Sequence, residues 1–122
     1  RDELLSFQLK TARRIQRSII RDLNTEISGV SIISRYLPAL DIGGDFFKLK
    51  KIDDDHISIM LGDVSGHGIS AALLTSMLCM MYDSLVDRYH HPKDMLSAMN
   101  DLFCRSFNAS EIQVYACIFY IK

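Results

Sequence analysis

Residues Leu61–Leu74 read LGDVSGHGISAALL, and this stretch decides which fold the chain adopts. The apolar residues that alternate over His56–Leu61 predict a strand leading into it, since such alternation suits a half-buried sheet. A glycine-rich loop then follows over Gly62–Gly68 and contains Asp63. The next residues, roughly Ile69–Tyr89, carry apolar side chains around most of a helix, which predicts a largely buried helix packed on the sheet.

A second glycine-rich corner, Asp41–Asp45, reads DIGGD and precedes a strand predicted over Phe46–Ile52. Asp53–Asp55 is predicted to be a hairpin turn, and a hairpin returns the chain to the end from which it started. Asp45 and Asp63, 18 positions apart, can therefore meet at one end of the sheet. Two carboxylates beside glycines, which allow close backbone approach, suit hard divalent cations, and a pair of such ions supports phosphoryl chemistry.

The rest of the chain completes the predicted element order. Before the glycine-rich corner, the sequence predicts a helix over roughly Arg1–Leu23, a polar turn over Asn24–Gly29 and a strand over Gly29–Tyr36. After the buried helix, it predicts another helix over roughly Pro92–Phe107 and a final strand over Ile112–Ile121. Short turns join the first strands, with no helical crossover between them. This pattern predicts an α+β fold with a mostly antiparallel sheet.

The first helix has a narrow apolar stripe and a basic remainder. Two interpretations of the stripe fit equally: a coiled-coil seam in a dimer, or packing on the helix's own domain. Its members are Leu5, Leu9, Ala12, Ile15, Ile19 and Leu23. The arginines form either a solvated face or a surface for an acidic partner, and they are Arg13, Arg14, Arg17 and Arg21.

Length and charge exclude several classes of protein. The 122 residues allow one small domain, and 14 Lys and Arg against 15 Asp and Glu leave no basic excess of the kind that nucleic-acid modules show. The three cysteines form no C-x-x-C pair, which favours a reducing, cytoplasmic environment. No apolar run approaches the ~18–20 residues of a membrane span, so none is predicted in this chain.

The glycines of the second loop also allow a rival interpretation. Gly66–Ala71 matches the G-x-G-x-x-A dinucleotide fingerprint between a strand and a helix. That fingerprint needs an acidic residue at the end of a second strand, and Asp87 at the required distance falls on the predicted helix instead. Four residues also separate Gly66 from the end of the predicted strand at Leu61. We therefore interpret the match as accidental.

Two longer segments carry a family resemblance. Pro38–Phe47 and Leu61–Leu74 resemble the two leading motifs of the metal-dependent Ser/Thr protein phosphatases (PPM) of the bacterial SpoIIE/RsbU type. Ala12–Ile20 resembles the helix that precedes the catalytic domain in that family and commonly links it to an upstream sensory domain. Val114–Tyr120 resembles a later motif in the same order. The resemblance therefore covers nearly the whole chain.

The resemblance implies a helix-flanked antiparallel β-sandwich, of which this chain would be only the N-terminal half. Residues 1–24 would then be a linker or regulatory helix, and residues 25–122 the N-terminal part of the phosphatase domain. The family continues with a Gly-His-Pro segment, a Thr-Asp-Gly segment and a late Asp that supply further metal ligands, and none of these is in the sequence. We expect weak metal binding and little phosphatase activity from these residues alone.

The same resemblance implies a site with two Mn²⁺ or Mg²⁺ ions and a metal-bound water as the nucleophile, with no catalytic side chain. Asp45 would hold one ion, Asp63 would bridge both, and the backbone carbonyl of Val64 would complete part of one shell. Residues that would shape the loops or approach the phosphate are Gly44, Gly66, His67 and Gly68.

Three departures from the family pattern affect this expected site. Asp41 stands where the family usually has Glu. Lys48 stands where an acidic residue is common, and it brings a positive charge toward the site. The later aspartates have no substitute, because the remaining candidates fall on predicted helices: Asp83, Asp87, Asp94 and Asp101.

Two functions of different classes follow. The first is a signalling phosphatase that removes phosphate from Ser or Thr of a partner protein, by resemblance an anti-sigma-factor antagonist. The alternative is a non-catalytic interaction module that dimerises through the first helix or the open sheet. We expect a cytoplasmic location in either case, with the parent protein tethered to a membrane, if at all, through a region upstream of this chain.

Several other residues have a structural interpretation that we prefer to a functional one. Asp53–Asp55 lacks the EF-hand pattern and is interpreted as a turn rather than a cation loop. His90 and His91 are interpreted as solvated residues at a helix end rather than metal ligands. The cysteines are interpreted as small core residues, and they are Cys79, Cys104 and Cys117.

Overall fold

The computed structural model describes residues 2–27, 29–37, 43–66, 68–107 and 116–121. Two sheets, both antiparallel, are combined with three helices within these residues: a hairpin of β1 and β2, and a three-stranded sheet in the order β3-β4-β5. In chain order the elements are α1 (Asp2–Ile19), β1 (Leu23–Ile27), β2 (Val30–Ser34), β3 (Asp45–Lys51), β4 (Ile57–Val64), α2 (Gly68–Leu85), α3 (Pro92–Phe107) and β5 (Ala116–Ile121). The α+β class and the antiparallel pairing predicted from the sequence are confirmed.

The first hairpin differs from the sequence prediction. Residues 23–27 form β1 and pair with β2, whereas the sequence predicted the end of a helix and a polar turn there. The backbone N–H of Leu23 donates to the Ser34 hydroxyl at 3.0 Å, and that of Tyr36 donates to the Asp22 carboxylate at 2.6 Å. A short, polar strand such as LNTEI has little apolar pattern of its own, so its partner strand decides its conformation.

The second hairpin has the predicted turn but a longer second strand. At the turn, the backbone N–H of Ile52 donates to the His56 carbonyl at 2.9 Å, and that of Asp55 donates to the Asp53 carboxylate at 2.9 Å. β4 continues to Val64, three residues beyond the predicted end, because β3 pairs with it on one side and β5 on the other. Asp63 therefore lies on a strand and not in the predicted loop.

The core lies between the three-stranded sheet and the helices. α2 packs against β3, β4 and α3, and α3 also contacts β5. The Tyr82 hydroxyl reaches across this core and donates to the Ser58 hydroxyl at 2.9 Å. Fully buried apolar side chains from the sheet and both helices surround this bond, including Met60, Leu78, Val86, Met95 and Met99. α3 begins and ends where the sequence predicted.

α2 is less buried than the sequence predicted. Four of its apolar side chains are exposed, namely Ile69, Leu73, Met77 and Met80. The buried side carries Ala71, Leu74, Thr75, Leu78, Cys79, Met81 and Tyr82. Because α2 is apolar on both sides, periodicity alone could not select one. By length and composition this 18-residue helix would also pass for a membrane span, contrary to the sequence analysis, but its buried side makes it a core helix.

α1 divides into two parts. Near its C-terminal end, Gln16 and the following Ile20 are buried and the helix packs against α2. Toward the N-terminus of α1 the apolar stripe is exposed, as shown by Leu5, which is 52% exposed. The stripe residue Ile15 is exposed as well, and so are all four arginines, Arg13, Arg14, Arg17 and Arg21. Packing on its own domain thus accounts for only part of the stripe.

Truncation of two leucines on opposite sides of α2 should separate its buried side from its exposed side. Leu78 is 2% exposed, so Leu78→Ala should lower the free energy of unfolding by about 2–5 kcal/mol. Leu73 is 62% exposed, so the matched control Leu73→Ala should change it by less than about 0.5 kcal/mol. Urea unfolding followed by circular dichroism measures both, and equal losses would contradict the observed orientation of α2.

Candidate metal centre

The two aspartates singled out in the sequence lie opposite each other on neighbouring strands. Asp45 is the first residue of β3, and it is the register partner of Asp63 near the end of β4. Directly opposed residues of an antiparallel pair have side chains on the same face and within contact distance. The two carboxyl groups lie close enough to affect each other's charge. The predicted meeting of these side chains at one end of the sheet is therefore observed.

The pairing perturbs the protonation of Asp45. Partial burial of its carboxyl group raises the pKa of Asp45 above the ordinary value, and the negative charge of Asp63 and the hydrogen bond between them raise it further. The repulsion between two like charges opposes the ionisation of Asp45 beside Asp63. A divalent cation between the two carboxylates would offset that repulsion, so the pair suits a hard cation.

Gly44 brings a backbone oxygen to the same place. Its carbonyl accepts a hydrogen bond from the Val64 N–H at 2.8 Å. A Cβ added at Gly44 would lie 2.9 Å from the Val64 carbonyl oxygen and 3.3 Å from the Ala71 Cβ. A side chain at this position would therefore collide with the Val64 carbonyl, and glycine permits the close approach of the two backbone segments. The arrangement of two carboxylates and one carbonyl oxygen fits the donor set that Mg²⁺ and Mn²⁺ prefer.

The loop that follows β4 depends on two glycines with unusual backbone angles. Gly66 has φ +88° and Gly68 has φ +73°, a region that other residues rarely adopt. Between them the chain leaves the sheet and enters α2. The site prediction for His67, like the departure noted at Asp41, lies outside the described residues.

Two of the other acidic candidates form ion pairs with lysines of β3. Asp83 forms an ion pair with Lys48 at 3.2 Å, and Asp87 forms one with Lys50. Lys48 thus pairs with α2, and the expectation that its charge bears on the site finds no contact to support it within the described part of the chain. Asp87 follows α2 in a turn, which corrects its predicted place on the helix. No cluster of three or more His, Cys, Asp or Glu side chains occurs among the described residues.

The remaining predicted residues fall as follows. His90 and His91 are exposed, in agreement with the preferred interpretation. Cys79 is buried in the core, where burial raises the pKa of its thiol to about 12, so it stays protonated. Cys104 is exposed, so its prediction as a core residue is wrong. The side chain of Cys117 lies outside the described part of the chain.

Sequence reasoning assigned no role to Gln16, which proves to contact the site's backbone. Its side-chain amide donates to the Gly43 carbonyl at 2.7 Å, and its amide oxygen accepts from the Gly43 N–H at 3.1 Å. Gly43 lies two residues before Asp45. The signal available in the sequence was a glutamine beside the apolar stripe of α1, and no periodicity argument distinguishes such a residue from a solvated one.

Known proteins that resemble this chain include phosphatases. The sequence model of the Stage II sporulation protein E (SpoIIE) family matches residues 53–122. The phosphoserine phosphatase RsbU of Bacillus subtilis (strain 168) is 29% identical over 103 residues, which cover 84% of this chain and 30% of that protein. The phosphoserine phosphatase RsbP of the same organism is 27% identical over 118 residues, which cover 94% and 28%.

A solved structure agrees at the level of the fold. The SiaA-PP2C domain of Pseudomonas aeruginosa superposes with a TM-score of 0.71 at 20% identity, over 96% of this chain and 48% of that one. The chain therefore spans about half of that domain structure and under a third of the two Bacillus relatives.

The carboxylate pair predicts a pH-dependent stability of the metal-free chain. Because the folded-state pKa of Asp45 is raised, the folded state holds this proton more tightly than the unfolded chain does, and stability should fall as pH rises through that raised pKa. Asp63→Asn removes the neighbouring charge and should flatten this dependence. Urea unfolding in EDTA across about pH 3–8 measures it, over a range that brackets ordinary and raised carboxyl pKa values.

Asp101→Asn is the matched control for this measurement. Asp101 is exposed on α3, and removing its charge should leave the pH dependence as it is in the parent chain. An Asp63→Asn variant that keeps the full pH dependence would contradict the coupling between the two carboxyl groups.

Proposed function

The chain belongs to the Stage II sporulation protein E (SpoIIE) family of PPM-type phosphatase domains, and on that premise we propose that it is the N-terminal part of a protein phosphatase domain. The activity proposed is hydrolysis of phosphoserine or phosphothreonine on a signalling protein. The single observation that carries the proposal is the pairing of Asp45 with Asp63 at the sheet end, within the motifs that resemble the family. The names of two relatives, both phosphoserine phosphatases, support the substrate class.

PPM-family phosphatases are generally metal-dependent, and the donor set here fits that chemistry. We propose that Asp45 holds one ion, that Asp63 bridges two, and that the Val64 carbonyl contributes a further oxygen. Bound Mn²⁺ or Mg²⁺ ions would lower the pKa of a coordinated water and neutralise charge on the phosphate oxygens. Gly44 lets its backbone approach the Val64 carbonyl closely, and a bound cation would counteract the raised pKa of Asp45.

The site formed by the described residues is partial. Two carboxylates and a carbonyl are fewer oxygen ligands than a pair of hard cations takes, so water would fill most positions around the ions. We therefore propose that the family's later motifs complete the centre. Weak affinity of the 122-residue chain for metal, and little turnover by it, follow from the same ligand count.

Titration with Mn²⁺ tests the metal proposal. The 122-residue chain should bind Mn²⁺ with a dissociation constant well above the micromolar range, measured by electron paramagnetic resonance of the free ion. Asp63→Asn should abolish the binding, because it removes the bridging ligand, and Asp101→Asn should leave it unchanged. Micromolar affinity, or turnover of a phosphoserine peptide at the rate of a complete family domain, would overturn the view that the site is partial.

A second candidate function is a dimerising interaction module, and the exposed end of α1 favours it. Leu4, Leu5, Phe7 and Ile15 are large apolar side chains that the described domain leaves in solvent. Exposed apolar side chains grouped on one helix are typical of protein contacts. A homodimer through α1 is compatible with phosphatase activity, so the chain can have both functions. If the protein has no phosphatase activity, dimerisation is the alternative function.

Sedimentation equilibrium distinguishes these cases. If α1 pairs with a second copy along the stripe, Leu5→Glu should shift the chain from dimer to monomer, because it places a charge in an apolar seam. Lys10→Glu, on the opposite side of the same helix and also exposed, should leave the dimer intact. A parent chain that is strictly monomeric at high micromolar concentration would remove the dimer proposal.

The partner and the location remain tied to the family resemblance. We propose an anti-sigma-factor antagonist as the phosphorylated substrate, a sensory domain upstream of α1 as the source of control, and the cytoplasm as the compartment. The near balance of 14 basic and 15 acidic residues supports a protein substrate over a nucleic acid.

A further inference from the structure

We propose that Gln16 is a positioning residue for the metal centre: it holds the backbone of Gly43 so that Asp45 enters β3 in register with Asp63. The inference rests on the proposed function, because it concerns the geometry of the ligands that function requires. It assigns to α1 a direct share in the site, through one side chain that contacts neither the metal ligands nor a substrate.

The two hydrogen bonds of Gln16 imitate a strand partner. Its amide donates to the Gly43 carbonyl at 2.7 Å and accepts from the Gly43 N–H at 3.1 Å, so a single side chain satisfies both polar groups of one backbone residue. The sheet does not do so itself, since the β3–β4 pairing ends at Asp45 and Asp63. Gln16 therefore extends the ordering of the chain two residues beyond the strand.

Three elements then meet on the short segment before Asp45. α1 holds Gly43 through Gln16, β4 holds Gly44 through the 2.8 Å bond from the Val64 N–H, and α2 closes over Gly44 with Ala71. Asp45 directly follows Gly44, so the contacts that hold Gly43 and Gly44 also fix the position of the Asp45 Cα. Metal ligation tolerates only about ±0.2 Å in ligand distance, so a loosened Gly43 would be felt at the Asp45 carboxylate.

The residue type matches the task. Gln16 is 4% exposed, and burying an amide is costly unless its donor and acceptor are both used. A glutamate of the same size would lose the donor and add a third negative charge near the carboxylate pair. A methionine would keep nearly the same shape and lose both hydrogen bonds. These two substitutions therefore separate hydrogen bonding from packing.

The test compares Gln16→Met with the matched control Gln8→Met on the full chain. Gln8 lies on the same helix and is exposed. Residues that orient metal ligands typically cost about 10–100-fold in metal affinity when removed, so Gln16→Met should weaken Mn²⁺ binding by about that factor, read by electron paramagnetic resonance of the free ion. Gln8→Met should not change it. Where turnover is measurable, the KM for Mn²⁺ should rise while the KM for a phosphoserine peptide stays the same.

The free energy of unfolding is measured beside the Mn²⁺ affinity, because a merely structural role of Gln16 would lower the stability and leave the affinity of the folded protein unchanged. Urea unfolding sets the conditions in which each variant is folded. If Gln16→Met is folded and binds Mn²⁺ like the parent chain, the inference is overturned. Gln16→Glu is the second variant should Gln16→Met not fold; it keeps an acceptor for the Gly43 N–H and should also weaken binding, and parent-like affinity there would equally overturn the inference.

The outcomes for the two proposals are distinct. A parent chain that binds Mn²⁺ through Asp45 and Asp63 but hydrolyses no phosphopeptide, even when the family's later motifs are supplied, would end the proposed function. Weakened Mn²⁺ binding by Gln16→Met would still support the positioning role. Conversely, if the protein is a phosphatase and Gln16→Met leaves its Mn²⁺ affinity unchanged, the proposed function stands and the positioning role of Gln16 is overturned.

Discussion

The backbone pairing of β3 with β4 holds two like charges together, and the rest of the structure is arranged around that constraint. Asp45 and Asp63 are register partners, so their carboxyl groups meet whether or not their charges favour it. A slip of one residue would turn one of them to the other face of the sheet. The register is protected by contacts away from the pair: a Cβ at Gly62 would lie 2.1 Å from the Phe46 ring, and the Lys48–Asp83 ion pair ties β3 to α2.

Without a bound cation, this pairing of two like charges has an energetic cost. The raised pKa of Asp45 records the cost, since burial and the Asp63 charge both oppose its ionisation. Buried packing elsewhere offsets it: Tyr82 spans the core to Ser58, and Met60, Leu78 and Met95 fill the space between sheet and helices. A cation would reverse the sign of the interaction, because the same two carboxylates that repel each other would then both attract it. Perturbed protonation is typical of functional sites, and the oxygen donors here suit a hard cation.

The sequence predicted those parts of the molecule in which local pattern and tertiary structure agree. The β3–β4 hairpin, the turn at Asp53, the limits of α3 and the meeting of Asp45 with Asp63 all follow from alternation, turn chemistry and hairpin geometry. It failed where pattern was uninformative. β1 is polar and needs its partner β2 to be a strand, and α2 is apolar on both sides, so only its neighbours decide that Leu78 is buried and Leu73 exposed. Gln16 was missed for the same reason, because its partner is a backbone group 27 residues away.

Gln16 and Ile20 also bear on where the catalytic domain begins. A linker helix that only connected domains would need no buried polar side chain, yet α1 places Gln16 and the following Ile20 in the packed interior. Its N-terminal half, by contrast, leaves large apolar side chains such as Phe7 exposed. The same helix therefore carries both the exposed apolar side chains and Gln16, whose two hydrogen bonds reach the backbone of Gly43. The last turns of α1 are thus packed as part of the domain, and the contacts that order the backbone before Asp45 include Gln16.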